Sequence, residues 1–128
     1  MLREVLEAYP DQHDASYSLA LLLVAMNRGD EALIYLGHAS DGMPYRPRVH
    51  YNYGLLLAQM GRDAEAEAAL LKALSVEQQN IDYLYALIDF HYRRGNLKKA
   101  LEFAERMISA HPQNPMGHDI KAAIESPR

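Results

Sequence analysis

Apolar residues recur along the chain at the three- and four-residue intervals of an α-helix. In one stretch Tyr53, Leu56, Leu57 and Met60 fall at i, i+3, i+4 and i+7, which places them on one helical face. A polar break at Gly61-Arg62-Asp63 follows, and a second apolar face begins after it. No stretch alternates between apolar and polar residues for long enough to predict a strand. The pattern therefore predicts an all-α chain of antiparallel helix pairs.

The same pattern returns every 34 residues. A shift of 34 aligns Tyr17 with Tyr51 and then with Tyr85, without a gap. The same shift aligns Gly61 with Gly95, where a helix C-terminus favours a positive φ. Each unit is thus predicted to be a helix, a short turn and a second helix. We place three units at residues 13–46, 47–80 and 81–114 of a single domain over 1–128.

Residues outside these units predict two further helical pieces. In residues 1–12, Leu2, Val5 and Leu6 precede a proline-containing turn, as at the end of an incomplete preceding unit. Residues 115–128 predict a C-terminal helix that covers the end of the array. Its predicted apolar face comprises Met116, Ile120, Ala123 and Ile124. A start inside a repeat is expected either for a domain of a longer protein or for a native short N-terminal cap.

Composition agrees with one globular domain and excludes several kinds of protein. The 128 residues are 49% hydrophobic and 23% charged, which is close to the average for soluble chains. A formal net charge of −4 lacks the basic footprint of a nucleic-acid binder. The absence of cysteine excludes disulfides, thiolate metal sites and c-type haem attachment within these residues. The longest apolar run has eight residues, far fewer than the roughly 20 that span a bilayer, so we expect no membrane insertion.

No motif for catalysis, nucleotide binding or metal binding is visible. Of the six histidines, His50 and His91 fall at apolar positions of the helical pattern and are predicted to be packed in the core. His13 lies between Asp11 and Asp14, and a solvated acidic loop is the favoured interpretation there. We therefore expect no enzyme activity, no cofactor and no metal. The compartment stays open between cytoplasm and periplasm.

A helix–turn–helix unit of 34 residues resembles the tetratricopeptide repeat. The unit carries the alanine of that family's pattern three times, at Ala32, Ala66 and Ala100. It departs from the pattern at Ser16, where a bulky residue is usual, and at Ile88, where a small one is usual. The resemblance implies a right-handed superhelix of antiparallel helix pairs, an α–α solenoid whose first helices line a concave groove. It also implies a non-catalytic module that binds a peptide or a partner protein.

The family geometry points certain positions of each first helix into that groove. Each repeat places one tyrosine there, and the third repeat adds Tyr92. Tyrosine offers a large apolar face and a hydroxyl at low entropic cost. The same rings would serve equally as scaffold if they pack on the neighbouring helix, and the sequence leaves both roles open. The predicted groove residues are Tyr17, Leu21, Arg48, Tyr51, Asn52, Leu55, Tyr85, Asp89, Tyr92 and Arg93.

One subtype of the family is disfavoured. Chaperone-binding members hold two carboxylates of an acidic tail with lysine, asparagine and arginine side chains at five positions. Those positions are occupied here by Tyr17, Leu21, Asn52, Asp82 and Ala86, and only Asn52 matches. The cations that pair a C-terminal carboxylate are missing, so we predict that the chain does not bind such a tail.

Two other roles remain as alternatives. The third unit is similar to C-terminal repeats attached to bacterial multihaem cytochromes. The chain would then be an accessory or oligomerisation domain of a larger enzyme or electron-transfer protein whose chemistry lies elsewhere. Leu2, Val5 and Leu6 lack a first helix of their own, which predicts a possible homodimer through the N-terminal helix.

Overall fold

The computed structural model describes residues 12–126, which form seven helices and no strand. Helices of 13 and 14 residues alternate through the first six, and their pairs start 34 residues apart, as the repeat predicts. The helices are α1 (His13–Ala25), α2 (Gly29–Gly42), α3 (Pro47–Gln59), α4 (Asp63–Val76), α5 (Ile81–Arg93), α6 (Leu97–Ala110) and α7 (Pro115–Glu125). The all-α prediction is confirmed. The predicted N-terminal helix lies outside the described residues.

The chain divides between Val76 and Glu77 into two compact units. In unit 1, α1 packs on α2, α2 on α3, and α3 on α4. In unit 2, α5 packs on α6 and α6 on α7. Short turns join each helix to the next within a unit, so consecutive helices run antiparallel.

The turn inside each repeat contains one residue with a positive φ. Gly61 and Gly95 have φ values of 77° and 75°, and Asn27 takes the same place in the first repeat with 60°. In all three turns the N–H of the next residue donates to a carbonyl five residues earlier, at 2.8–2.9 Å. Asparagine tolerates this region better than most residues do. The three turns therefore share one backbone geometry although the first contains no glycine at this position.

The core of each repeat lies between its two helices, where small residues allow close approach. Ala32, Ala66 and Ala100 are completely buried. At Gly54 of α3, a Cβ would lie 2.8 Å from Cγ of Leu70 on α4, so only glycine fits without a shift. The aligned family positions therefore lie where the two helices of a repeat pack closely. The apolar cluster of the first repeat comprises Leu19, Ala20, Leu23, Ala32 and Leu36, with Leu56 of α3.

Both histidines that the pattern places in the core are buried. His50 Nε2 donates to the carbonyl oxygen of Pro44 at 2.9 Å. Because a neutral imidazole carries one hydrogen, Nδ1 accepts from the hydroxyl of Ser40, at 2.7 Å. His91 stacks on Phe103 of α6 with ring centroids 5.9 Å apart. The expectation of core histidines is thus confirmed for His50 and His91.

The C-terminal helix packs on α6, and its buried face differs from the predicted one at its first turn. Met116 was expected in the interface, but 41% of its surface is exposed. Gly117 is buried instead, and a Cβ there would lie 2.9 Å from Cγ1 of Ile108. The buried residues of α7 are thus Gly117, which the prediction left out, and Ile124, which it included.

Candidate functional site

Six of the predicted groove residues lie in unit 1, on α1 and α3. The amide of Asn52 donates to the hydroxyl of Tyr17 at 2.6 Å and links the two helices. The guanidinium of Arg48 lies over the ring of Tyr51, 5.0 Å from its centroid. Leu21 is 41% exposed, and its aliphatic side chain can form neither a hydrogen bond nor a cation–π contact. These contacts restrain the two predicted groove tyrosines of unit 1, Tyr17 and Tyr51, before any ligand arrives.

Arg46, in the turn before α3, adds a second restraint on Tyr17. Its guanidinium lies 5.9 Å from the centroid of the Tyr17 ring. It also bonds the carboxylate of Asp14 at 2.5 Å, in an exposed ion pair. The groove prediction did not include Arg46, because the family positions used for it fall only on first helices. Tyr17 is therefore contacted at both its ring and its hydroxyl, as a scaffold residue would be.

In unit 2, three predicted residues line a cleft of about 290 Å³ between α5 and α7. Tyr85, Asp89 and Tyr92 form one wall, at i, i+4 and i+7 of α5. Tyr85 is 50% exposed and Tyr92 is 49% exposed, so both rings are open to a ligand. The rest of the lining is aliphatic and comprises Ile88 of α5 with Ile120, Ala123 and Ile124 of α7. The cleft thus combines two aromatic rings, one carboxylate and an apolar floor.

Arg93, the fourth predicted residue of unit 2, forms an ion pair with the Asp89 carboxylate of this cleft. Arg93 Nε lies 2.9 Å from both carboxylate oxygens of Asp89, one helical turn earlier. This hydrogen bond, with the charge of Asp89, raises the pKa of the Arg93 guanidinium above its usual value. The Arg93 side chain is 73% exposed, so solvent screens the pair. The structure therefore brings Asp89 and Arg93 together, as an ion pair at the edge of the cleft.

A family model for the tetratricopeptide repeat matches residues 54–115. Residues 54–115 therefore carry tetratricopeptide repeats. The crystal structure of MamA superposes on 96% of this chain and 72% of its own, with a TM-score of 0.85 and 20% identity. That of YrrB, described as a TPR protein with an unusual peptide-binding site, covers 96% of this chain and 63% of its own, with a TM-score of 0.74 and 19% identity. At these identities the likeness is one of fold.

A curated relative carries the same repeat in its name. Interferon-induced protein with tetratricopeptide repeats 3 of Mus musculus is 25% identical over 114 residues. The match covers 87% of this chain but spans only 28% of the length of the mouse protein. The seven helices of residues 12–126 fit three tetratricopeptide repeats and a capping helix.

The repeat register explains the cleft, whose α7 wall the groove prediction missed. Two repeats after the Tyr17–Asn52 pair, the equivalent residues are Tyr85 and Ile120. Isoleucine cannot donate to a tyrosine hydroxyl, so the hydrogen bond of unit 1 has no counterpart in unit 2. Ala123 likewise stands where unit 1 has a leucine, and the smaller side chain leaves space. Extending the alignment into α7 is the sequence observation that would have found this wall.

Within residues 12–126, no three or more histidine, aspartate or glutamate side chains are grouped so that they could hold a metal ion. No helix of that stretch combines the length and apolar character needed to cross a membrane. The unit 2 cleft, lined by Tyr85, Asp89 and Tyr92, is the candidate site.

Proposed function

We propose that the chain is a non-catalytic interaction module that binds a peptide, or an exposed segment of a partner protein, on the first helices of its repeats. The observation that carries this proposal is the unit 2 cleft, where Tyr85 and Tyr92 stand half-exposed beside an aliphatic floor. Tyrosine is enriched at recognition surfaces because it buries a large area at low entropic cost. The likeness to YrrB, described as having a peptide-binding site, agrees with such a role.

The tyrosines divide between two roles in this proposal. Tyr17 is held by Asn52 and Arg46, so it stabilises the contact of α1 with α3. Tyr85 has an isoleucine opposite it, so its ring and hydroxyl are available to a ligand. The open alternatives of ligand contact and scaffold therefore apply to different repeats. Tyr51, with Arg48 over its ring, is an intermediate case.

A peptide library displayed on phage and selected against the whole chain supplies a ligand for the test. We expect Tyr85→Ala to weaken the selected peptide at least tenfold, which corresponds to roughly 1.4 kcal/mol. Helicity measured by circular dichroism should stay unchanged, because half of this side chain is exposed. Tyr45→Ala is the matched control, since Tyr45 is 86% exposed and lies between α2 and α3. Equal affinity of the two variants would move the site away from the cleft.

A further inference from the structure

We propose that the unit 2 cleft selects a peptide in which a lysine or arginine side chain stands between aliphatic residues. This proposal rests on the proposed function and names the class of ligand for the same site. Its basis is the composition of the wall formed by α5, where a carboxylate lies between two tyrosines. The occupant is therefore defined by charge as well as by shape.

The wall of α5 suits a cation. Tyr85, Asp89 and Tyr92 share one face of the helix, and all three line the cleft. The face of a tyrosine ring attracts ammonium and guanidinium groups, and the carboxylate adds a negative charge once a ligand cation displaces Arg93 from it. An anionic side chain would be repelled by the same carboxylate. The charge of the wall thus favours a cation over a neutral or acidic side chain.

The floor of the cleft suits the rest of such a ligand. Ile88 and Ile124 are buried, and Ile120 and Ala123 complete an aliphatic surface. Lysine and arginine lay their apolar stems along surfaces of this kind while the charged end stays near water. The volume of about 290 Å³ lies near the lower end of the range typical of ligand pockets and leaves room for such a side chain.

In the ligand-free chain the Asp89 carboxylate already binds a guanidinium group. Arg93 bonds both oxygens of Asp89 from outside the cleft, as a stand-in for a ligand cation. Exposed ion pairs one helical turn apart contribute little to stability, so a ligand displaces Arg93 at small cost. Arg93 is therefore a competitor of the ligand, and removing it should strengthen binding.

Only the third repeat carries a carboxylate at the position of Asp89. At the position of Asp89 the first two repeats carry Leu21 and Leu55, and at the position of Arg93 the first repeat carries Ala25. The cationic preference thus follows from residues peculiar to α5 and not from the pattern that the three repeats share. A ligand that bound unit 1 would meet no such preference from these positions.

Three capped pentapeptides test the charge preference on the whole chain. They are acetyl-Gly-Leu-Lys-Leu-Gly-amide and its analogues with glutamine or glutamate in place of lysine. We expect the lysine peptide to bind roughly fivefold tighter than the glutamine peptide, from an exposed ion pair and a cation–π contact, and the glutamate peptide to bind weakest. Titrations followed by amide chemical shifts should move the signals of Asp89, Ile120 and Ala123. The preference should shrink as salt screens the carboxylate.

Two variants separate the roles of the ion-pair partners. Asp89→Asn should make the lysine and glutamine peptides equal, whereas Arg93→Gln should tighten the lysine peptide further. Lys98→Gln on α6 removes an exposed cation elsewhere in unit 2 and should change neither affinity. Melting curves confirm that each variant is folded.

Failure of the charge preference and failure of the proposed function give different results in these titrations. If the three peptides shift the cleft signals with equal affinity, the charge preference is wrong and the proposed function stands. If none of them shifts those signals, both proposals fail at this cleft. Weaker binding by Arg93→Gln would show that Arg93 contacts the ligand, which overturns the competitor role.

Discussion

The turn between the two helices of each repeat depends on one residue with a positive φ. An ordinary L-residue pays about 1–2 kcal/mol in this region, glycine pays nothing, and asparagine lies between them. Gly61 and Gly95 have no atom within 4 Å of the point where a Cβ would stand. Any cost of replacing them therefore comes from the backbone and not from a clash.

Because a Cβ at Gly61 would meet no clash, replacing this glycine tests backbone strain alone. Gly61→Ala should lower the free energy of unfolding by about 1 kcal/mol, and Asn27→Gly should raise it by a few tenths. Urea unfolding followed by circular dichroism measures both changes. Gly54→Ala is the contrasting control, because its cost comes from Leu70 at 2.8 Å and not from backbone strain. A neutral Gly61→Ala would contradict the account of the turn.

The buried pair of Ser40 and His50 gives the second prediction. Ser40→Ala leaves Nδ1 of a buried imidazole without its donor, which should cost about 1–3 kcal/mol of unfolding free energy. In a His50→Leu background the same change should cost much less, since the acceptor is gone. Leucine is a reasonable replacement because Leu84 stands at the equivalent position of the third repeat.

The control for this cycle is Ser75→Ala. Ser75 also lies near the end of a second helix, but its hydroxyl is exposed and bonds a carbonyl of its own helix. Its removal should change stability by less than about 0.5 kcal/mol. Equal costs for Ser40→Ala with and without His50 would show that the buried hydrogen bond is not what Ser40 contributes.

At the level of the helix, the contact of α7 with α6 depends on a glycine. Gly117 brings the backbone of α7 within reach of Ile108, where a Cβ would lie 3.2 Å from a backbone nitrogen. A backbone atom cannot rotate away as the end of a side chain can. The position of α7, and with it one wall of the cleft, is therefore sensitive to the size of residue 117.

The third prediction follows. Gly117→Val should displace α7, lower the stability of unit 2 by more than about 1 kcal/mol, and abolish binding in the cleft. Amide hydrogen exchange should show faster exchange in α7, and unit 1 should keep its protection. Ala122→Val places the same side chain on the exposed side of α7 and is the matched control. Retained ligand binding by Gly117→Val would mean that α7 does not form the wall.

The start of each repeat was predictable from sequence, whereas the close approach of α7 to α6 at Gly117 was not. A 34-residue period fixes where the first helix of each repeat begins, as at Pro47 and Ile81. Apolar periodicity finds large side chains and therefore selected Met116 in place of Gly117. A buried glycine in a helix gives no hydrophobic signal, since its role is to let two backbones approach.

For the molecule as a whole, the sequence predicted a shared architecture better than a site. Buried alanines and turn glycines recur because the two helices of every repeat pack in the same way. Three copies of this pattern therefore support the same alignment of the repeats. The candidate cleft depends on where the copies differ, as Asp89 differs from Leu21 and Leu55. Ile120 and Ala123 were identified only as part of an amphipathic cap, because opposing walls become visible in three dimensions. Repetition therefore predicts the scaffold, and departures from repetition locate the site.

The last prediction concerns acidic peptides, which we expect the chain to bind weakly. The positions at which relatives pair an acidic tail hold no cation here, and Asp82 contributes a negative charge at one of them. The exposed carboxylate of Asp89 adds to the repulsion at the cleft. We therefore expect an acidic peptide with a free C-terminal carboxylate to bind the whole chain more weakly than about 10 μM, a limit set by a free energy near −7 kcal/mol. Calorimetry measures this directly, and amidation of the peptide terminus is the control. An affinity tighter than that limit, lost on amidation, would show that the chain binds carboxylates through groups outside the positions considered.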